Sequence, residues 1–257
     1  ARIGINTMLT TVWLKIYARL PKEKVVEALN EMFGMRISDG EVSLISEQMA
    51  EAYGDYYEEL VKEMRVANAR YIDETSWRIN GSNAWLWTFV TKGVEVYKIS
   101  MKRNHEVAKE MLGSNPKGTN VHDRHNIYKT LSRIFKSVRQ QDCWWHILGD
   151  AKELSEYYPD DGKYIHETLK VIYKKAKEFE HKGTDIEIEN LYTELKNKLD
   201  VVYKSHKCRK FVENLLKEKD NLFEFVRNPD VEPTNNRAER ALRHSVIARK
   251  ISGGSRS

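Results

Sequence analysis

Asp73, Asp123 and Glu239 are the side chains with the most chemical promise in this 257-residue chain, and each sits in a different setting. Asp73 lies inside ARYIDETSWRIN, Asp123 closes TNVHD, and Glu239 falls in PTNNRAERALRHSVIARK. Carboxylates are hard oxygen ligands, and magnesium takes one or two of them while keeping several waters. Two such ions roughly 4 Å apart can activate an attacking oxygen and hold a leaving one during in-line phosphoryl displacement. Three acids converging from separate elements are enough for that chemistry. Without a cation they repel one another, and at least one keeps its proton. Structural roles compete at each position. Asp123 suits a cap on a following helix, and Glu239 suits a pair with Arg243, worth about 0.3–0.5 kcal/mol on a surface helix. Glu74 rivals Asp73, but strand alternation sends the two to opposite faces, so only one can join Asp123.

The charge around Glu239 favours a site that handles phosphate. From Pro233 to Ser257 the bases Arg237, Arg240, Arg243, Arg249, Lys250 and Arg256 accompany a single acid. That segment carries the whole net charge of +5, and the rest of the chain balances. The six bases are therefore candidate DNA contacts, with a solvated helix face as the plain alternative. Asn235 and Asn236 suit positioning of phosphate or water, or capping of the helix. Mean hydropathy is −0.65, and no apolar run approaches the roughly 20 residues that a spanning helix needs. The opening ARIGINTMLTTVWLKIYARL has no small-residue cleavage site and reads as a helix. Two cysteines, Cys143 and Cys208, cannot build a disulfide framework, and a reducing cytoplasm is the expectation.

The elements that must position these residues follow from pattern and punctuation. Residues 1–69 read as an N-terminal helical subdomain, with Pro21 opening a second helix, Gly34 stopping it, and Ser38 or Asp39 capping a third. Its helix–turn–helix outline places Glu41, Glu47 and Glu51, and no Lys or Arg, on the would-be reading helix. Packing or assembly is the better expectation there. From Arg70, the runs ARYIDETSWRIN, SNAWLWTFVT and GVEVYKIS predict an antiparallel meander turned at Asn80-Gly81 and Lys92-Gly93. A helix over 104–112, the strand TNVHD, a helix near 127–135 and a fifth strand in SVRQQDCWWH follow. The order predicts an α/β (α+β) fold, a ribonuclease-H-like mixed sheet with helices whose first part spans 70–146. An all-α insertion over 147–228 interrupts it, and a C-terminal helix and basic tail over 229–257 complete it. Such a fold sets Asp73 in the middle of the first strand and Asp123 at the end of the fourth. Glu239 then reaches over the sheet edge from the last helix.

Three segments carry a resemblance: DETSWRING…WLWTFVT, QDCWWHILGDAKEL and TNNRAERALR…VIARKISGGSRS, in that order. Together they resemble insertion-sequence 66 family transposases of the wider DDE group, across most of residues 10–257. The resemblance implies a ribonuclease-H-like core with a helical insertion and a site using two Mg2+ ions, with Mn2+ as a substitute. It implies DNA cleavage at transposon ends and strand transfer on double-stranded DNA, by a homodimer or higher multimer. A nucleoid-associated protein of a prokaryotic cytoplasm is expected. The family's first acid matches Asp73 and its third Glu239. Its second is usually followed by glycine, whereas Arg124 follows Asp123 here. The family pattern also extends beyond both ends of this chain, so a fragment or decayed copy is expected, with target specificity held elsewhere.

Secondary features have competing readings. Cys143 and His146 form a C-x-x-H that can support the active site or touch DNA, and His206 with Cys208 offers a second pair for a tetrahedral zinc site. Packing is the commoner role for such residues. Trp77, Trp85, Trp87, Trp144 and Trp145 suggest base stacking, but on alternating strands most belong in a core, leaving at most one for a base. Two other functions fit the sequence. One is a ribonuclease-H-like nuclease without strand transfer, and the other is an inactive or repurposed remnant that binds DNA without cutting.

Overall fold

The structure, a computed structural model, describes residues 3–255. Five strands form one mixed sheet in the order β3-β2-β1-β4-β5. β1 (Ala69–Ile79), β2 (Ser82–Val90) and β3 (Glu95–Ser100) make the antiparallel meander. Asn80 and Gly81 both adopt positive φ, 49° and 79°, which a tight two-residue hairpin turn requires. β4 (Thr119–His122) runs parallel to β1, and β5 (Arg139–Asp142) runs parallel to β4. α5 (His105–Leu112) precedes β4, and α6 (Asn126–Ile134) is the crossover that parallel β4 and β5 demand.

Both faces of the sheet are covered, which is why Tyr71 and Ile72 are buried side by side on β1. One face carries Ile72, Trp87 and Phe89 beneath α4 (Gly54–Val66), α5 and α6. The other carries Tyr71, Val90 and Val121. It shares a continuous core with α7 (Trp144–Tyr157), α8 (Pro159–Lys177), α9 (Asp185–Leu199) and α10 (His206–Leu216). α11 (Asn236–Ser252) returns to that second face through Ala238 and Ala241. Ahead of the sheet, α1 (Ile5–Ile16), α2 (Lys22–Phe33) and α3 (Asp39–Ala52) enclose a small separate core that includes Val25, Leu29 and Val42. Ser38 and Glu41 form a capping box at α3, and Gly34 ends α2 in the left-handed region.

Two boundaries differ from expectation. SVRQQDCWWH is not one strand, because β5 stops at Asp142 and Cys143 is the N-cap of α7. The ladder ends there with the His122–Asp142 pair, and the Trp144 N–H bonds the Pro233 carbonyl instead. β4 likewise ends at His122, leaving Asp123 as the first residue past the strand. At the far end, Gly254 approaches β1 so closely that a Cβ would lie 2.4 Å from the Arg78 carbonyl oxygen. Ser255 then pairs with Ile79 as a short parallel bridge, and its hydroxyl accepts from Trp77 Nε1 at 3.0 Å.

Candidate active site

Two of the acids lie near the ends of the parallel pairings, and the charge of Asp123 acts on Asp73. β1 pairs Tyr71 with Val121 of β4, and β4 pairs His122 with Asp142 of β5. The ladders end there, so Asp123 and Cys143 stand just past the ends of β4 and β5 while β1 continues through Asp73. Asp73 faces the α11 side, and its Oδ1 accepts the Glu74 N–H at 2.9 Å. Asp123 Oδ1 accepts the His125 N–H at 3.1 Å, so it braces the loop, while the His125 side chain itself caps α6.

Glu239 enters from the first turn of α11. Asn235 fixes that turn. Its Nδ2 donates to the Ile72 carbonyl at 2.9 Å and its backbone N–H donates to Cys143 Sγ at 3.2 Å. Asn235 is thus the N-cap by position only, since its side chain bonds β1 rather than the helix. Asn236 is half-buried and makes no side-chain hydrogen bond among the described residues. The carboxylates act on one another. Burial first, then Glu74, Asp123 and Glu239, push the Asp73 carboxyl up to about 7.

The tightest convergence of ligand-type atoms joins Cys143, His146 and Glu239, which all lie within 4.8 Å of one another. Among the described residues, Asp73 and Asp123 belong to no cluster that tight. Glu239 Oε1 is 4.0 Å from His146 Nε2. His146 is pushed up to about 9, chiefly by the Cys143 side chain beside it, against the opposing effect of burial, and then by Glu239 and Asp123. The buried Nδ1 of His146 has no hydrogen-bond partner. His206 and Cys208 do not join this group. Cys208 is buried in the helical core, so the four-residue zinc site is absent among the described residues.

Two features escaped the sequence reading. Glu74 does face away from Asp73, and it is a buried anchor: Tyr128 Oη donates to it at 2.6 Å and Arg103 Nε at 3.0 Å. Arg124, directly after Asp123, is mostly buried. It lies 3.8 Å from Asp142, 3.9 Å from Asp150 of α7, and 5.6 Å over the Phe211 ring of α10. It joins the Asp123 loop to the helical region. Asp142 is pushed up to about 6 by burial, and His122 and Arg124 oppose that shift. The available signals were a charged residue on the inward face of a strand for Glu74 and a charged residue directly after a fully buried strand for Arg124.

The basic residues divide. Arg237 pairs with Glu232 at 2.6 Å, and Arg249 is held by Thr75 and Ser76 of β1. Arg240, Arg243 and Lys250 are exposed. Glu239, Arg243 and Lys250 lie on one ridge of α11 by their spacing. Arg256 falls outside the described residues. Of the tryptophans, Trp87 and Trp144 are fully buried, Trp77 holds Ser255, and Trp85 packs against Arg103 at 4.4 Å. Trp145, 66% exposed and next to His146, is open to solvent.

These features define a mixed α/β protein with a group of acids near the ends of its parallel strands and a helix with several exposed bases beside it. The family model described as "Transposase IS66 family" matches residues 2–257, and the chain belongs to that family. The resemblance carried by the three motifs is thereby borne out. Membership brings a transposase role in general terms: DNA binding and the enzymatic cutting and transfer of DNA in recombination. None of the curated proteins matches the chain. No described helix is long and apolar enough to cross a membrane.

Proposed function

We propose that the chain cuts transposon ends and joins them to target DNA through a DDE site of Asp73, Asp123 and Glu239 on a ribonuclease-H-like core. The β3-β2-β1-β4-β5 order with three antiparallel and two parallel-added strands supports that core. The observation that supports this reading is the mutual influence of the acids: the charges of Asp123, just past the β4 strand end, and of Glu239, on the first turn of α11, both raise the Asp73 carboxyl. The acids fit a pair of Mg2+ ions, with Mn2+ as a substitute. No Lys or Arg pairs with any of the three among the described residues, and the Asp73 carboxyl is raised by burial first and then by the neighbouring acids. When bound, the ions supply an activated oxygen and neutralise the leaving one.

The protein's own residues do the rest. β1 and the β4 loop present two carboxylates from a rigid sheet. Asn235 holds the first turn of α11 so that Glu239 can swing from His146 toward the aspartates. Arg240, Arg243 and Lys250 offer exposed cations for DNA phosphates on the helix that carries Glu239. Residues 70–146 and 229–257 form the catalytic core, 147–228 the insertion and 1–69 a packing subdomain. The active species is a homodimer or higher multimer on paired ends, in a prokaryotic cytoplasm.

The test is Mg2+- or Mn2+-dependent nicking and joining of a labelled transposon-end duplex. Glu239→Gln and Asp123→Asn should reduce both by at least about 100-fold while DNA binding persists, the scale of losing electrostatic stabilisation of the reaction. Cleavage by Glu239→Gln at the wild-type rate would sink the site. Hydrolysis without joining would identify a nuclease, and salt-sensitive binding without cleavage a DNA-binding remnant.

A further inference from the structure

Cys143, His146 and Glu239 have a chemistry that the three-carboxylate reading does not use. Magnesium is a hard ion that prefers oxygen, so a sulfur in ligand position adds nothing to it. Zinc-class ions bind sulfur, imidazole nitrogen and carboxylate oxygen together, at about 2.0–2.3 Å. Atoms at those distances around a tetrahedron stand roughly 3.3–3.8 Å apart. The three ligand atoms here lie within 4.8 Å of one another, and His146 Nε2 is 4.0 Å from Glu239 Oε1. Side-chain movement of about 1 Å closes that geometry.

The surroundings suit such an ion. Cys143 is fully buried and is the N-cap residue of α7, so its sulfur forms the floor of the site. The Asn235 N–H donates to that sulfur at 3.2 Å, the kind of outer contact that orients a thiolate ligand. His146 and Glu239 are partly exposed, with side-chain exposures of 42% and 40%, which leaves a path from solvent and room for a fourth ligand. Three protein ligands with an open position make an exchangeable site rather than a closed structural one. Binding would release the thiol proton, and the proton of a charged imidazole, to solvent.

We propose that Cys143, His146 and Glu239 bind one thiophilic divalent cation of the zinc class, and that this ion inhibits the protein by taking Glu239 from the three-carboxylate site. The inhibitory half rests on the DDE reading, because Glu239 is the shared ligand. A Glu239 carboxylate committed to a tetrahedral ion beside Cys143 has less of its charge and fewer of its oxygens to give a hard-metal pair beside Asp73.

The experiment is Co2+ titration of the metal-free chain, read by the thiolate-to-cobalt charge-transfer absorption. It is paired with Zn2+ titration of Mg2+-dependent cleavage, each variant normalised to its own uninhibited rate. One Co2+ per chain is expected, weakened by more than roughly 100-fold in Cys143→Ser and in His146→Asn and retained in Cys208→Ser. His146→Asn, on a partly exposed helix position, decides the matter if Cys143→Ser does not fold. Zinc should inhibit the wild type at concentrations that leave His146→Asn at its own rate. Absence of the band, a band lost only in Cys208→Ser, or one unchanged in Cys143→Ser and His146→Asn would overturn the site. Equal zinc sensitivity of wild type and His146→Asn would overturn the inhibition. If the band forms but Mg2+ supports no cleavage, the DDE reading and the inhibition fail while the cation site stands. If cleavage proceeds and no band forms, this inference fails alone.

Discussion

Asp73 shows how placement changes a carboxyl group. It lies on a central strand between Tyr71 and Thr75, under α11, and burial with three neighbouring acids raises it from 3.8 to about 7. A raised acid stabilises the fold fully below its unfolded value near 4 and loses that contribution as pH climbs toward 7. The metal-free protein is therefore destabilised by its own Asp73 at alkaline pH. Asp73→Asn should raise the melting temperature by roughly 5 °C or more at pH 8 with a chelator present, and change it little at pH 4. Thermal unfolding at the two pH values checks this, and an equal shift at both would argue against a charged, uncompensated Asp73. Magnesium should erase most of the difference at pH 8 by stabilising the wild type alone.

At the scale of elements, α11 is aimed by its two ends. Asn235 ties the first turn to the Ile72 carbonyl, one residue before Asp73. Asn235→Ala leaves that carbonyl without its buried donor, a loss of about 1–3 kcal/mol. Cleavage should fall further than the melting point suggests, because Glu239 loses its fixed approach; a rate unchanged beside a lowered melting temperature would make the bond purely structural. The other end docks through Gly254, whose φ of 122° and contact with the Arg78 carbonyl admit no Cβ. Gly254→Ala should cost about 1–3 kcal/mol and free the Trp77–Ser255 contact. Amide exchange over residues 77–80 would report the loss, and protection equal to wild type would count against the docking.

For the molecule as a whole, electrostatics separates bases that hold the fold from those free to meet DNA. Arg249 bonds Thr75 and Ser76, and Arg237 bonds Glu232, whereas Arg243 and Lys250 are exposed. Arg243→Ala and Lys250→Ala should each lower the slope of log affinity against log salt by about 1. Arg249→Ala should act mainly on stability. Fluorescence anisotropy across a salt series distinguishes them, and unchanged slopes in the two exposed variants would move the DNA path off α11. The continuous core between the sheet and α7–α10 also makes the helical region a support for the pocket, with Arg124 as the link from the Asp123 loop.

Much of this was legible in the residues themselves. Asn80-Gly81, Gly34, and Ser38 with Glu41 specify their turn and caps through local backbone sterics and hydrogen bonding, so the helix and strand order could be read along the chain. Alternation alone separated Asp73 from Glu74, because neighbouring side chains on a strand must face opposite ways. The end of β5 could not be read, since QDCWWH suits a strand or a helix, and only the lack of a further β4 partner decided it. The same holds for the convergence of Cys143, His146 and Glu239 and for the two classes of arginine. Ninety-five residues, most of them in the helices α7 to α10, separate Cys143 from Glu239 in the chain, and nothing local links them. Their meeting depends on strand register, on the Asn235 clip and on which cations find a nearer acid or carbonyl, and those are long-range contacts that exist only once the sheet and its last helix have packed.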